Sequence, residues 1–407
     1  MPSKNKLSRR NFIKTAGAAG AGVVLSTKGY QAFANNELKV KSSNEKKVPT
    51  RLFGKTGVNV SSLALGGMFD IPSSQLLLKQ ALKWGVTYWD TAARYGGGRS
   101  EKGIGIYFKK NPQDRKKIFL VTKSDARDPE GMTKLLNRSL KRMNTSYIDL
   151  YLVHSLKRID EINDQTKRWA HQAKAEKKIR FFGFSTHKNM VELLSEAAKL
   201  DWIDGIMTTY NFRLMQNPKM KAAVNACVNA GIGLTAMKTQ GGGSIYSGSK
   251  AELKLAEHFL KTGFTDKQAK LKAVWDNRYI SSICSQMPNI TILMSNVSAA
   301  FDKTKLAKTE LDLFRHYAEK TKSFYCEGCH KLCESTIAAN IPISDIMRYL
   351  MYYNSYNDKT RAIRKFNKIP SEIRDQIKKT EYEKAEKKCP NQIAISKFMH
   401  MAKDILA

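Results

Sequence analysis

The sequence predicts an α/β protein: a (β/α)8 TIM barrel followed by a small, mainly helical C-terminal domain that contains cysteines. Three observations predict it. Eight short apolar runs recur between residues 62 and 295. Stretches of helical period separate most of them. Past residue 310 the character changes, with Cys326, Cys329 and Cys333 falling within eight residues. Eight strand–helix units over roughly 250 residues is the count for a closed parallel barrel.

In chain order, the predicted strands are 62–66, 87–91, 118–123, 148–154, 179–186, 205–210, 233–238 and 290–295. Helix-period segments lie at 75–84, 132–143, 160–177, 190–200 and 220–230. Gly85, Gly231 and Gly263 stand where helix C-caps are expected. The barrel is assigned to 51–315 and the tail domain to 316–407. Residues 35–50 are rich in Lys, Asn and Ser and read as a polar linker.

The first 34 residues stand apart. Arg9 and Arg10 are followed by Phe12, a mildly apolar Ala/Gly/Val run to Leu25, and a small-x-small site at Ala32-Phe33-Ala34. This resembles a twin-arginine signal peptide cleaved after Ala34. It implies a twin-arginine translocase as partner during export, a periplasmic location, and folding before translocation, often around an inserted cofactor.

The net charge is +34; the first 34 residues hold six basic and no acidic residues, so the mature chain would carry +28. Its lysines are scattered through amphipathic segments rather than clustered, which argues for a solvated basic surface and no nucleic-acid partner. Hydrophobic residues make up 42%, enough for a sizeable core. No apolar run reaches the ~20 residues of a membrane span, so none is expected.

In a barrel of this kind the chemistry gathers at the C-terminal ends of the strands. The second predicted strand ends in Asp90, with Tyr95 in the loop that follows. The third ends in Lys123 and the fourth in His154. Burying such groups at one mouth is costly unless they pair, so their convergence suggests a catalytic site.

Asp90-Thr91-Ala92-Ala93-Arg94-Tyr95-Gly96 resembles the D-T-A-x-x-Y-G motif of the aldo/keto reductase superfamily, with Lys123 and His154 at its third- and fourth-strand positions. Arg51 to Gly57, Tyr147 to Tyr151, Gly183 to Ser185, Ala236 to Lys238 and Gly241 to Gly243 resemble its other motifs in order, from about residue 51 to 310. The resemblance implies hydride transfer between NADP or NAD and a small-molecule carbonyl or alcohol. Tyr95 would be the proton donor, Lys123 would tune its pKa, Asp90 would hold Lys123, and His154 would orient the carbonyl. It also assigns cofactor contacts to Ser185, Thr186, Met207, Tyr210, Met237, Lys238, Gly241, Ser295 and Asn296. The sequence departs from the family pattern at several of these. Thr186 replaces the usual Asn (or His187 displaces it), Met207 a common Gln, and Met237 an aromatic residue. Phe301 stands where an Arg often meets the 2′-phosphate, with Lys303 nearby.

The tail carries Cys326-x2-Cys329-x3-Cys333 and a lone Cys389-Pro390. It resembles the ferredoxin-like iron–sulfur extension of some exported aldo/keto reductases. In a two-cluster ferredoxin, the first three cysteines of one run and the Cys-Pro cysteine of the other hold the same cluster. The first run here has Ile337 at its own Cys-Pro position. The cysteines that remain, Cys326, Cys329, Cys333 and Cys389, therefore form one complete set, implying a single [4Fe–4S] cluster; Zn on the same thiolates, or disulfides and free thiols, are the alternatives. Cys227 and Cys284 read as packing residues in apolar helices. Two rival functions stay open: an iron–sulfur electron-transfer protein that docks a redox partner protein, and a non-catalytic binding barrel.

Overall fold

The computed structural model describes residues 47–244 and 249–407. The expected signal peptide and most of the expected linker lie outside the described residues.

The described chain opens with an antiparallel hairpin of β1 (Thr50–Leu52) and β2 (Asn59–Ser61). Eight strands then form a closed barrel: β3 (Leu63–Gly66), β4 (Tyr88–Asp90), β5 (Phe119–Ser124), β6 (Ile148–Val153), β7 (Ile179–Thr186), β8 (Gly205–Thr209), β9 (Gly233–Met237) and β10 (Ser282–Gln286). All neighbours pair in parallel, and β10 closes the ring between β9 and β3. Strands buried on both faces need not alternate, and β5 and β6 are buried throughout.

The hairpin delivers Phe53 into the barrel, where it is fully buried against Tyr88 and Phe119 at centroid distances of 6.4 and 5.4 Å. Gly205 and Gly233 make the room. A Cβ on either would stand 2.7 or 2.5 Å from the Phe53 ring.

Helices alternate with the strands: α1 (Gln75–Lys83), α2 (Arg99–Lys110), α3 (Pro129–Met143), α4 (Asp164–Ala175), α5 (Met190–Ala197) and α6 (Pro218–Asn229). The pair α7 (Lys250–Lys261) and α8 (Asp266–Asp276) follows β9, and α9 (Ile290–Phe301) and α10 (Lys308–Lys320) follow β10. Local signals set their starts. Asp128 caps α3 through Gly131 N–H with Pro129 in the first turn, and Thr265 and Gln268 form a capping box on α8.

One strand corrects the sequence reading. The eighth strand is Ser282–Gln286, not 290–295, and the latter stretch is the first half of α9. Asn289 caps that helix through the N–H of Ile292. Ser295 and Asn296 therefore sit on a helix rather than at a strand end, and Cys284 sits on a strand rather than in a helix.

The expected boundary at 315/316 falls inside α10, whose Phe314 and Tyr317 pack on Phe212 of the barrel. Beyond it come α11 (His330–Glu334), α12 (Ile343–Asn354), α13 (Lys359–Phe366), α14 (Ser371–Gln376), α15 (Glu383–Lys388) and α16 (Ile395–Leu406). They bury a core of their own around Ile346, Leu350, Phe366, Phe398 and Met399.

This tail is fastened across the C-terminal ends of β7 to β9. The N–H of Asn189 donates to Gly328 O (2.9 Å) and that of Ser244 to Phe324 O (2.7 Å). Asn354 donates to Ser244 O (2.8 Å), and Lys188 pairs with Asp345 (2.8 Å). Gly328, at φ +80°, lies so close to His187 that a Cβ would meet its carbonyl oxygen at 2.3 Å. Among the described residues, no helix is long and apolar enough to cross a membrane.

Candidate active site

Three strand ends bring the tetrad together. Asp90 ends β4, Lys123 lies on β5, and His154 follows β6. Tyr95 opens a tight turn in which Gly96 and Gly97 take the left-handed conformation (φ 57° and 66°). That turn lets the chain double back from β4 over the barrel mouth. Behind it, Glu101 on α2 is fully buried, accepting from Thr122 (2.8 Å) and pairing with Arg142 (3.1 Å), which fixes the loop to β5 and α3.

Lys123 is 1% exposed and forms an ion pair with Asp90 while donating to Thr91 O (2.7 Å). Burial alone would lower its pKa; Asp90 and Tyr95 outweigh it and hold the ammonium at about 12. Burial pushes the Asp90 carboxyl up, and Lys123 opposes that rise. Lys123 Nζ lies 5.1 Å from the centroid of the Tyr95 ring, where its charge favours the phenolate. Burial pushes that phenol up to about 12 against the pull of Lys123. The expected downward tuning by Lys123 is thus present but outweighed by desolvation. The imidazole of His154 stands edge-on to Tyr95, with centroids 5.8 Å apart, and is 6% exposed. Burial first, then Arg94 and Lys123, lower its pKa to about 4 against Asp125, so it is neutral at pH 7.

Two residues join this group that the sequence does not place at the site. Asp125 Oδ1 lies 3.2 Å from His154 Nδ1 and 3.1 Å from Arg94. It follows Lys123 by two positions at the mouth, which is the signal that marks it. The thiol of Cys284 lies 3.7 Å from Asp90 Oδ2. Cys284 is therefore a neighbour of the tetrad, and the packing-helix assignment is corrected.

The expected cofactor contacts divide. Ser185 and Lys238 reach the mouth: the hydroxyl of Ser185 accepts from Ser155 N–H (3.1 Å), and Lys238 has its Nζ 4.7 Å above the Tyr352 ring of α12. Gly241, at φ +57°, packs on Phe212 in the loop after β9, and its carbonyl accepts from Arg213 (2.8 Å). Others have internal partners. The Thr186 hydroxyl is engaged with the carbonyls of Leu156 and Lys188. Met207 and Met237 pack with the apolar cluster around Phe53. Tyr210 accepts from Asn277 (2.9 Å). On α9, Ser295 O accepts from Gln268 (3.0 Å) and Asn296 donates to Ser285 (3.0 Å). Phe301 packs half-buried against the main core.

In the tail, Cys326, Cys329, Cys333 and Cys389 line one cavity, closed by apolar residues such as Ile343, Met347 and Ile393. All six cysteines are free. Burial pushes the thiols of Cys326, Cys329 and Cys333 up to about 12. Among the described residues, no three His, Cys, Asp or Glu side chains are placed to hold a single metal ion. Cys326 also lines a second cavity, at the barrel mouth, together with His187, Thr209 and Lys238.

Comparison with known proteins agrees with this architecture. Residues 62–319 match the aldo/keto reductase family, and residues 6–26 match the signal sequence of the twin-arginine translocation (TAT) pathway. An uncharacterized oxidoreductase of Bacillus subtilis (strain 168) is 29% identical over 223 residues, 49% of this chain and 68% of that protein. An NADP(+) aldo-keto reductase of Schizosaccharomyces pombe is 33% identical over 34% of this chain and 45% of its own length. L-galactose dehydrogenase of Arabidopsis thaliana is 23% identical over 64% of this chain and 90% of its own. The holo form of an aldo-keto reductase from Bacillus halodurans shares the fold, with a TM-score of 0.57 and 23% identity over 66% of this chain and 96% of that one. With the family match covering well over half of the chain and the tetrad seated at the mouth of an eight-stranded barrel, this chain belongs to the aldo/keto reductase family of NAD(P)-dependent oxidoreductases.

Proposed function

We propose that this protein is an exported carbonyl reductase, or alcohol dehydrogenase in the reverse direction, whose tail carries one [4Fe–4S] cluster. The observation that carries the enzymatic reading is the convergence of Asp90, Lys123, Tyr95 and His154 at one barrel mouth. When bound, the nicotinamide supplies or accepts the hydride. Ser185, Lys238 and the Gly241–Gly243 loop are the residues at the mouth that would hold it. Thr186, Met207, Tyr210, Met237, Ser295 and Asn296 are engaged in packing or internal hydrogen bonds, so the cofactor site depends more on the loop after β9 than in the family pattern.

The residues then have distinct tasks. A carbonyl oxygen seated between Tyr95 and His154 gains negative charge as its carbon is reduced. Tyr95 hands it a proton. Lys123, held cationic by Asp90, stabilises the phenolate left behind, which is what a phenol raised by burial most needs. His154 is neutral and carries a single N–H; its ring stands beside Tyr95, with Nδ1 3.2 Å from Asp125 Oδ1.

The cluster reading rests on the tail. Four thiols that line one cavity, none of them grouped closely enough with others to hold a single ion, favour a cubane over Zn. Thiols raised by apolar burial stay neutral unless a cationic core takes them as thiolates. The shared wall at Cys326 favours a second reading, electron transfer between the tail and the barrel mouth or a redox partner. The twin-arginine match supports a periplasmic location with cofactors inserted before export.

The absorption spectrum of the protein purified anaerobically, with iron and sulfide assays and a nucleotide titration, tests the proposal. Charge-transfer absorption, about four irons per chain and saturable NAD(P)H binding are expected. Colourless protein lacking iron removes the cluster. Failure to bind either nucleotide removes the reductase and leaves the electron-transfer or binding-barrel reading.

A further inference from the structure

The sequence of β3, Leu63-Ala64-Leu65-Gly66, puts its two smallest residues on one face. The strand runs between β10 and β4, with Cys284 of β10 opposite Ala64 and Asp90 of β4 opposite Gly66. Ala64 and Cys284 pack with the apolar cluster around Phe53 inside the barrel. Gly66 places no side chain between the two neighbouring strands. A Cβ there would stand 3.2 Å from Cys284 Sγ and 3.1 Å from the Ser285 backbone. Over that gap the thiol reaches Asp90, with Sγ 3.7 Å from Oδ2.

Asp90 is therefore held from two sides. It is buried, and a buried carboxylate oxygen left without a donor is costly. Lys123 of β5 engages Oδ1, and among the described residues the hydrogen bond to Oδ2 comes from Cys284. Tyr95 in the following loop and Tyr88 on the same strand also lie in the field of the carboxylate, and Lys238 at the end of β9 acts on the thiol. Burial, then the charge of Asp90, push the thiol well up, so it keeps the proton it donates. With each oxygen engaged from a different strand, the carboxylate cannot turn without breaking one of the two contacts.

We infer that Cys284 is a positioning residue, whose S–H donates to the second oxygen of Asp90 and holds that carboxylate in the orientation that pairs with Lys123 beside Tyr95. Its effect on turnover rests on the reductase reading; the hydrogen bond does not. A thiol is a weak donor, and a serine hydroxyl in its place still donates. Valine keeps the bulk and removes the donor. These two substitutions separate the positioning role from packing.

Two measurements on the anaerobically purified protein test this. The S–H stretch of Cys284 is isolated as the infrared difference between wild type and Cys284→Ser, and again in an Asp90→Asn background. Removing the acceptor's charge should move the band to higher frequency. A band that does not move overturns the inference. The second measurement is the pH profile of kcat with a generic aldehyde and NAD(P)H. Cys284→Val should lower kcat about three- to tenfold, short of the roughly 10²–10⁴-fold of a lost general acid, with KM and nucleotide affinity within about twofold. Its acid limb should move up by about half a unit to one unit, because Asp90 without the donor takes a proton at higher pH. Cys284→Ser should return both toward wild type. A packing role gives the reverse order, so a valine variant with the wild-type rate and limb beside an impaired serine variant overturns the inference. If Cys284→Val is unfolded by circular dichroism, Cys284→Ala replaces it with the same expectation. A band that moves in a protein whose wild type shows no NAD(P)H-dependent turnover upholds the hydrogen bond and sinks the reductase reading instead.

Discussion

At the scale of single residues, burial sets the chemistry of the mouth. Tyr95, Lys123 and His154 each feel desolvation first, and partners decide the outcome. Lys123 wins its charge back through Asp90; His154, whose partner Asp125 is shared with Arg94, does not. This has a consequence for stability. His154 folds with a pKa of about 4, below its unfolded value near 6.5. As pH falls, the unfolded chain takes the proton first, so stability is full above about 6.5 and is lost between there and about 4. The difference amounts to about 3 kcal/mol at most, from ~1.4 kcal/mol per unit. His154→Gln should flatten the decline of Tm over that range; His187 and His330, also lowered, keep a residual slope. Identical pH profiles of Tm for wild type and variant would refute the assignment of a buried, neutral His154.

At the scale of elements, the cysteine-bearing segments behave as one unit although Cys389 lies at the end of α15, far from the run at 326–333. Cys389→Ala should therefore lower iron and sulfide content as fully as Cys329→Ala. Cys227→Ala, buried in α6 and outside the cavity that the other four line, should leave them unchanged. Wild-type iron in Cys389→Ala would remove it from the ligand set. Elements also show what the sequence could and could not reveal. Seven barrel strands are apolar runs buried on both faces, and their period reads directly. The eighth does not. Ser282–Gln286 contains only one aliphatic residue, because its Ser282, Cys284 and Ser285 side chains meet polar partners, Ser61 O, Asp90 and Asn296 of α9. The apolar run at 290–294, β-branched at 290–292, mimics a strand, but Asn289 caps it as a helix. The tetrad was legible because each member ends a strand or opens its loop. Asp125 and Cys284 act through tertiary approach, which spacing alone does not encode. The turning of Thr186, Tyr210 and Asn296 toward internal partners was hidden for the same reason.

At the scale of the whole molecule, a basic barrel that follows a twin-arginine signal sequence has its mouth partly roofed by its own tail. The hydrogen bonds from Asn354 to Ser244 and from Ser355 to Gly243 (2.7 Å) tie the loop after β9 to α12. The tail thereby fixes the loop on which the proposed cofactor site depends. The account stands or falls on proton transfer by Tyr95. Tyr95→Phe keeps the ring beside His154 and removes only the hydroxyl. Steady-state turnover of a generic aldehyde with NAD(P)H should fall roughly 10²–10⁴-fold, while nucleotide affinity changes less than about twofold. A Tyr95→Phe variant that turns over at the wild-type rate would contradict the account and move the proton donor to another residue of the mouth, His154 first.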